Sequence, residues 1–311
     1  MKTVTVFGAS GRQGQAQVRQ LLLQGFRPRA VTRQKDIFAG PDFRGVTVIA
    51  ADYDDPGSLD RACDGADAVF YQSPQLGTRP QILQQSVNVA NAAKRAGVMR
   101  LVLNSTMWAP DEPCGQPLYD SVLEIEDAIA ARELPLVVFR PVLFMDNLLT
   151  GFCKPSIVTQ SVYAYPQKPG LKMDYICLDD VALFMIEGVK RDELVGERIR
   201  IGGPETLTPA DVVAILSDVL GRPIRHEYVK PRDFGYRFYD VAAAGLPVPR
   251  EAYVDFFDSF YTFNNESPHQ PFRCDVHAVM KRVPLRLTTM REWAPKQDWS
   301  LDGERVGSAS G

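Results

Sequence analysis

The sequence predicts an α/β protein: a doubly wound parallel sheet with helices on both faces, followed by a smaller, mostly helical C-terminal lobe. Three observations carry that expectation. Short apolar runs alternate with amphipathic segments, a glycine loop joins the first run to the first helix, and the alternation loosens after Pro141 into an aromatic-rich end. A chain of 311 residues is long enough for roughly two domains of about 150 residues. The sheet domain is expected over 1–150, with segments at about 174–201 returning to it, and the lobe over 151–311.

Lys2 to Phe7 reads as a buried strand, and Gly14 to Gln24 as a helix with Val18, Leu21 and Leu22 on one face and Gly25 as its stop. Arg29 to Thr32 and Gly45 to Ala50 read as the next two strands. Ser58 to Ala62 reads as a short helix with Ser58 as N-cap. A strand over Asp67 to Tyr71, a helix over Arg79 to Ala96 ending at Gly97, and a strand over Arg100 to Asn104 follow. A helix from Asp120 to Arg132 and a strand from Leu136 to Phe139 extend the alternation, which right-handed crossovers turn into a parallel sheet. Asp180 to Val189 has the pattern of a helix with Asp179-Asp180 as its cap, and Arg198 to Ile201 that of a strand. Thr208 caps a further helix, with Pro209 at its first position and Asp211 in its first turn.

Composition narrows the function classes. Lys and Arg total 35 and Asp and Glu 38, a net charge of −3, which supplies no general attraction to nucleic acid or anionic lipid. Hydrophobic residues at 45% and charged residues at 23% are those of a folded chain rather than a disordered one. The five cysteines lack a C-x-x-C pair, which argues against a disulfide framework and a structural zinc site and favours a reducing, cytoplasmic setting. An apolar run of about 18 residues, the length of a membrane span, does not occur.

The chemistry-bearing signal is Gly8-Ala9-Ser10-Gly11-Arg12-Gln13-Gly14, a G-x-x-G-x-x-G loop between a strand and a helix. Such a loop lets backbone approach a pyrophosphate, and the helix N-terminus offers free N–H groups to the phosphates. A site selective for NAD ends its second strand with an acid for the ribose 2′-hydroxyl, whereas this chain has Thr32-Arg33-Gln34-Lys35. Arg33, with Lys35 and Arg12, suits a 2′-phosphate, so NADP is the expected cofactor.

The glycine spacing, Val31-Thr32-Arg33, Asp52-Tyr53, Gln72-Ser73-Pro74, Asn104-Ser105-Thr106 and the run Arg140 to Asn147 resemble the NmrA-like group of atypical short-chain dehydrogenase/reductases. The resemblance covers roughly residues 1–230 and implies a Rossmann fold with a small substrate or effector region. It further implies Asp52 and Tyr53 near the adenine, Gln72, Ser73 and Pro74 along the ribose and diphosphate, and Pro141 to Phe144 beside the nicotinamide. Short-chain dehydrogenases of the usual kind carry Tyr and Lys four apart, and many NmrA-like relatives carry a lysine after an Asp-Ser pair. Here the sequence is Tyr119-Asp120-Ser121-Val122-Leu123, with neither lysine. Without that cation the Tyr119 phenol is expected near its ordinary value of about 10, a weak acid at neutral pH.

Two readings stand side by side, a reductase passing hydride from NADPH to a quinone, enone or carbonyl compound and an NADP(H)-binding redox sensor without turnover, ahead of a weaker third in which the fold is kept as a structural or assembly scaffold. In the first, Tyr119 orients the substrate and Ser105 or Thr106 donates a hydrogen bond, unless those hydroxyls only cap the next turn. Met107 and Trp108 are expected in the pocket wall. The expected partner is a small substrate or a regulatory protein, with a homodimer allowed and neither nucleic acid nor membrane contacted directly. His226, His269 and His277 lack metal-ligand spacing and read as surface or packing residues, and Cys114 reads as an ordinary thiol. The tail from Gly307 to Gly311 is too small and polar to pack and is expected to be mobile.

Overall fold

Successive side chains of the central strands fall alternately into two apolar layers, and that alternation organises the molecule. Val4, Val6, Ala68, Phe70, Val102, Val137 and Phe139 belong to one core, while Phe7, Val69, Tyr71, Leu101, Leu103, Leu136 and Val138 belong to the other. Strands buried on both faces read as continuous apolar runs, as these do. The computed structural model describes residues 1–74, 77–243 and 249–301; the tail at 307–311 lies outside them.

The first half of the chain runs β1 (Thr3–Val6), α1 (Arg12–Leu23), β2 (Arg27–Val31), β3 (Thr47–Ile49), α2 (Pro56–Cys63), β4 (Ala68–Tyr71), α3 (Arg79–Arg95), β5 (Arg100–Asn104), α4 (Pro117–Ala130) and β6 (Leu136–Pro141). The second half adds β7 (Leu143–Phe144), α5 (Lys154–Gln160), β8 (Val162–Tyr165), β9 (Met173–Ile176), α6 (Leu178–Lys190), β10 (Arg198–Ile201), β11 (Thr206–Leu207), α7 (Pro209–Leu220), β12 (Arg225–Tyr228), α8 (Pro231–Phe238), α9 (Arg250–Glu266), α10 (Val276–Arg282) and α11 (Met290–Trp293). Among the described residues the central sheet has seven strands in the order β10-β6-β5-β4-β1-β2-β3, all parallel. Helices α1 and α6 pack together on one face, and α2, α3 and α4 on the other. The fold is the expected doubly wound α/β sheet, and β10 returns from the later chain to its edge.

The lobe has its own core, drawn from residues 143–294 and rich in aromatic contacts such as Phe238 on Phe257 at 4.6 Å. Besides helices it contains two small sheets: β7 with β9 and β11, and β8 with β12. Helices α8 and α9 pack against each other across it.

Several boundaries differ from the sequence reading for identifiable reasons. Asp55, not Ser58, caps α2: its carboxylate accepts from the Gly57 N–H at 2.9 Å while Pro56 takes the first helical position. Ser58 is buried instead, and its hydroxyl accepts from the Asp52 N–H, which ties down the loop after β3. Helix α4 begins at Pro117 rather than Asp120, so Tyr119 lies in its first turn. Asp179 and Asp180 sit in the first turn of α6, whose N-cap is Cys177. Asp180 is buried and accepts from the Thr288 N–H at 2.7 Å and its hydroxyl at 3.1 Å, holding the C-terminal segment to the sheet domain.

Candidate functional site

All strands of the sheet being parallel, the C-terminal ends of β1, β2, β4, β5 and β6 share one edge, where ligands of such sheets bind. The glycine loop leaves β1 there. Gly8 has φ +67°, a conformation that side chains rarely adopt, and its carbonyl accepts from the Gly11 N–H at 3.1 Å. Gly11 is the N-cap of α1 and brings no side-chain cap of its own. A Cβ on Gly14 would stand 2.3 Å from the Gly8 oxygen and 2.5 Å from Ala9 Cα, so only glycine allows loop and helix to meet this closely. Gln15 reaches back to the Ser10 carbonyl at 2.8 Å and closes the loop.

Side chains from neighbouring strands brace this loop from below. Asn104, at the end of β5, donates to Gln13 Oε1 at 2.7 Å and accepts from the Thr106 N–H at 2.8 Å. Gln17 donates to Gln72 Oε1 at 3.4 Å, and Gln72 also lies against Gly8. Gln13 and Gln72 are thus buried supports as well as candidate contacts. The pair Gln13 and Gln17, four apart on one helix face, escaped the sequence reading because the helix was expected to start at Gly14.

At the end of β2, Thr32 Oγ1 accepts from the Gln34 N–H at 3.0 Å. Arg33 and Lys35 are exposed, and among the described residues neither forms a hydrogen bond or ion pair. After β3, Asp52 accepts from the Asp54 N–H at 2.9 Å and is exposed. The Tyr53 ring stands beside Phe7 and Tyr71, at 6.1 and 6.4 Å between centroids. Burial pushes its phenol up to about 12, against the pull of the Gly8 N–H. Ser73 and Pro74, after β4, are half-buried, as is Phe144, while Pro141 closes β6.

Beside that edge, Asp146 accepts from the Leu178 N–H at 3.0 Å and so occupies a donor at the start of α6. Burial pushes its carboxyl up to about 6, opposed by that hydrogen bond and by the nearby Arg12 guanidinium. Behind β6, Arg140 grips Glu126 of α4 with a forked pair at 2.6 and 3.0 Å, both residues buried. The pair fixes α4 against the sheet.

The three hydroxyls expected near the chemistry meet different fates. Tyr119 is buried and donates to Asn264 of α9 at 2.5 Å; its ring meets Trp108 edge-on at 4.8 Å. Burial raises this phenol well above the ordinary tyrosine value, which corrects the expectation of a value near 10. Ser105 donates to the Met107 carbonyl at 2.5 Å and lies 3.1 Å from the Phe139 carbonyl, the turn-capping alternative. Thr106 has φ +64°, an outlier for a β-branched residue, and among the described residues its hydroxyl has no hydrogen-bond partner. Val122 and Leu123 are both buried, so a lysine at either place would start from a buried position on α4. Asn264 could not be found from the sequence, since 145 residues separate it from its partner.

The remaining candidates are packing or surface groups. His269 and His277 are exposed, and His226 lies beside the Tyr163 ring at 5.6 Å. Burial raises the Cys114 thiol, and its N–H is held by Asp120 at 2.7 Å. Among the described residues, no helix is long and apolar enough to cross a membrane.

A model of the NmrA-like family matches residues 1–294. An NAD(P)H azoreductase of Xenophilus azovorans is 28% identical over 226 residues, which are 72% of this chain and 76% of that protein. Among solved structures, an Escherichia coli NADPH-dependent quinone oxidoreductase complexed with NADPH superposes with a TM-score of 0.74 at 22% identity, covering 94% of this chain and 98% of that one. NmrA, a negative transcriptional regulator in complex with NADP, gives a TM-score of 0.72 at 19% identity, over 95% of this chain and 94% of that one. Both superpositions show a shared fold.

Proposed function

We propose that this chain, which belongs to the NmrA-like family, binds NADP(H) at the edge of the central sheet and passes its hydride to a small organic acceptor. The observation that carries the cofactor choice is the end of β2, where the exposed Arg33 guanidinium has no protein partner among the described residues and no acid takes its place. A guanidinium fork matches a phosphate monoester, and Lys35, two residues on and also exposed, adds charge, with Arg12 at the start of α1 as a further cation. The closed approach of Gly14 to Gly8, with the uncapped start of α1, suits the diphosphate. Azoreductase and quinone oxidoreductase relatives support a reductase reading.

When bound, NADPH supplies the hydride, and the protein has only to position the acceptor and assist its oxygen. The Tyr119 and Ser105 hydroxyls are engaged by protein acceptors, which leaves the Thr106 hydroxyl to donate to the acceptor's oxygen. A single neutral donor suits an electron-poor, conjugated acceptor whose reduced oxyanion is stabilised by delocalisation and takes its proton from water. A quinone fits better than an isolated carbonyl on this ground. The engagement of Tyr119 also favours a second reading, a redox sensor that binds without turnover. Following NADPH consumption with menadione, cyclohexenone and benzaldehyde separates the two. Oxidation with the quinone is expected; tight NADPH binding with no oxidation across the panel overturns the reductase and leaves the sensor.

A further inference from the structure

Asn104 is fully buried at the end of β5, and both ends of its side-chain amide are in use. A backbone N–H can only donate, so the Thr106 N–H at 2.8 Å fixes the Asn104 oxygen on its own side and turns the amide nitrogen toward α1. That nitrogen donates to Gln13 Oε1 at 2.7 Å, which in turn fixes the second amide. Gln13 Nε2 is the end left over, and among the described residues it has no acceptor. Orientation thus passes from a backbone N–H through two side chains into the first turn of α1, where free N–H groups suit a diphosphate.

The same residue holds Thr106. Asn accepts readily from the N–H two residues on, and here that bond closes the turn in which Thr106 keeps φ +64°. A β-branched residue stays in that region only where several contacts hold it. Ser105 adds one, its N–H donating to the Phe139 carbonyl at 3.0 Å.

We propose that Asn104 is a positioning residue that couples the two halves of the site. It holds Gln13 of the glycine loop and the backbone of Thr106 in one register, so that the loop receiving the dinucleotide and the hydroxyl meeting the acceptor keep a fixed spacing. The proposal rests on the reductase reading, in which NADP(H) lies on that loop and Thr106 donates to the acceptor.

Deuterium exchange of the full chain tests the coupling without turnover. Saturating NADPH is expected to slow exchange over 104–108 by about threefold or more in the parent. Gln13→Met, which leaves Asn104 and Thr106 in place, is expected to abolish most of that slowing when it too is saturated. Turnover tests the consequence. With menadione and saturating NADPH, Asn104→Ala and Thr106→Val should each lower kcat/KM about tenfold. The double variant should lie within about twofold of either, because residues acting through one hydroxyl do not add. No slowing in the parent, equal slowing in Gln13→Met, additive losses in the double variant, or an Asn104→Ala variant with unchanged kcat/KM each overturns the proposal. So does a loss in Asn104→Ala with Thr106→Val unaffected. A parent that binds NADPH and leaves menadione unreduced overturns the reductase reading alone, and the exchange measurement then decides the coupling. Should Asn104→Ala fail to fold, Gln13→Met takes its place in the turnover comparison.

Discussion

Tyr119 Oη donates to Asn264 Oδ1 at 2.5 Å, joining the first turn of α4 to the last turn of α9 across 145 residues of chain. Both groups are buried, so the bond links the sheet domain to the lobe in a place water does not reach. A hydroxyl committed in this way is a structural tie. Tyr119→Phe keeps the ring against Trp108 and strands the Asn264 oxygen, which costs about 1–3 kcal/mol. Thermal denaturation should show the lower Tm, while kcat with a quinone stays close to the parent value.

Thr106 should behave in the opposite way. Thr106→Val preserves the β-branched shape in the unusual φ +64° backbone and removes only the hydroxyl. Stability should change little, and kcat/KM for a quinone should fall by about tenfold, the worth of one hydrogen bond made to the acceptor. An unchanged kcat/KM would remove Thr106 from the reaction.

Gly14→Ala should damage both fold and binding. The added methyl carbon would stand 2.3 Å from the Gly8 oxygen, which is backbone and cannot swing aside. A loss of about 1–3 kcal/mol is expected from overpacking, with the NADPH dissociation constant raised because the loop must open. Denaturant unfolding and fluorescence titration measure the two effects.

Asp146 sets a pH dependence whose sign is defined. Its folded-state value, about 6, lies above the ordinary carboxyl value of 3.8, so between those values the folded chain holds the proton more tightly than the unfolded one. Stability from this group is present below the lower value and is lost as pH rises through the upper one. Asp146→Asn retains an oxygen for the Leu178 N–H and removes the titration. The Tm difference between acidic and neutral buffer should therefore shift toward greater relative stability at neutral pH in the variant; an identical pH profile would contradict the assignment.

What could be read from the sequence was local and repeated. The glycine loop, the alternation as far as Phe139 and the missing acid after β2 are each visible in a few consecutive residues, because backbone conformation and strand-to-helix order are written at short range. Ser58 and Asp55 show where that fails: both are good caps three residues apart, and Pro56 decides between them by fixing the first helical position. The strands β7 and β11 have two residues each, too short for any period to register. Tyr119 has the residue type and position of a proton donor, and its burial is created by α9, which arrives from the far end of the chain.

The central claim is that Arg33 selects NADP(H) from the end of β2. Fluorescence titration of the parent chain and of Arg33→Ala with NADPH and NADH tests it directly. The parent should bind NADPH at least about tenfold more tightly than NADH, and Arg33→Ala should weaken NADPH by about tenfold or more while leaving NADH unchanged. Equal affinities for the two dinucleotides in the parent, or an Arg33→Ala variant that binds NADPH as well as the parent, would contradict it.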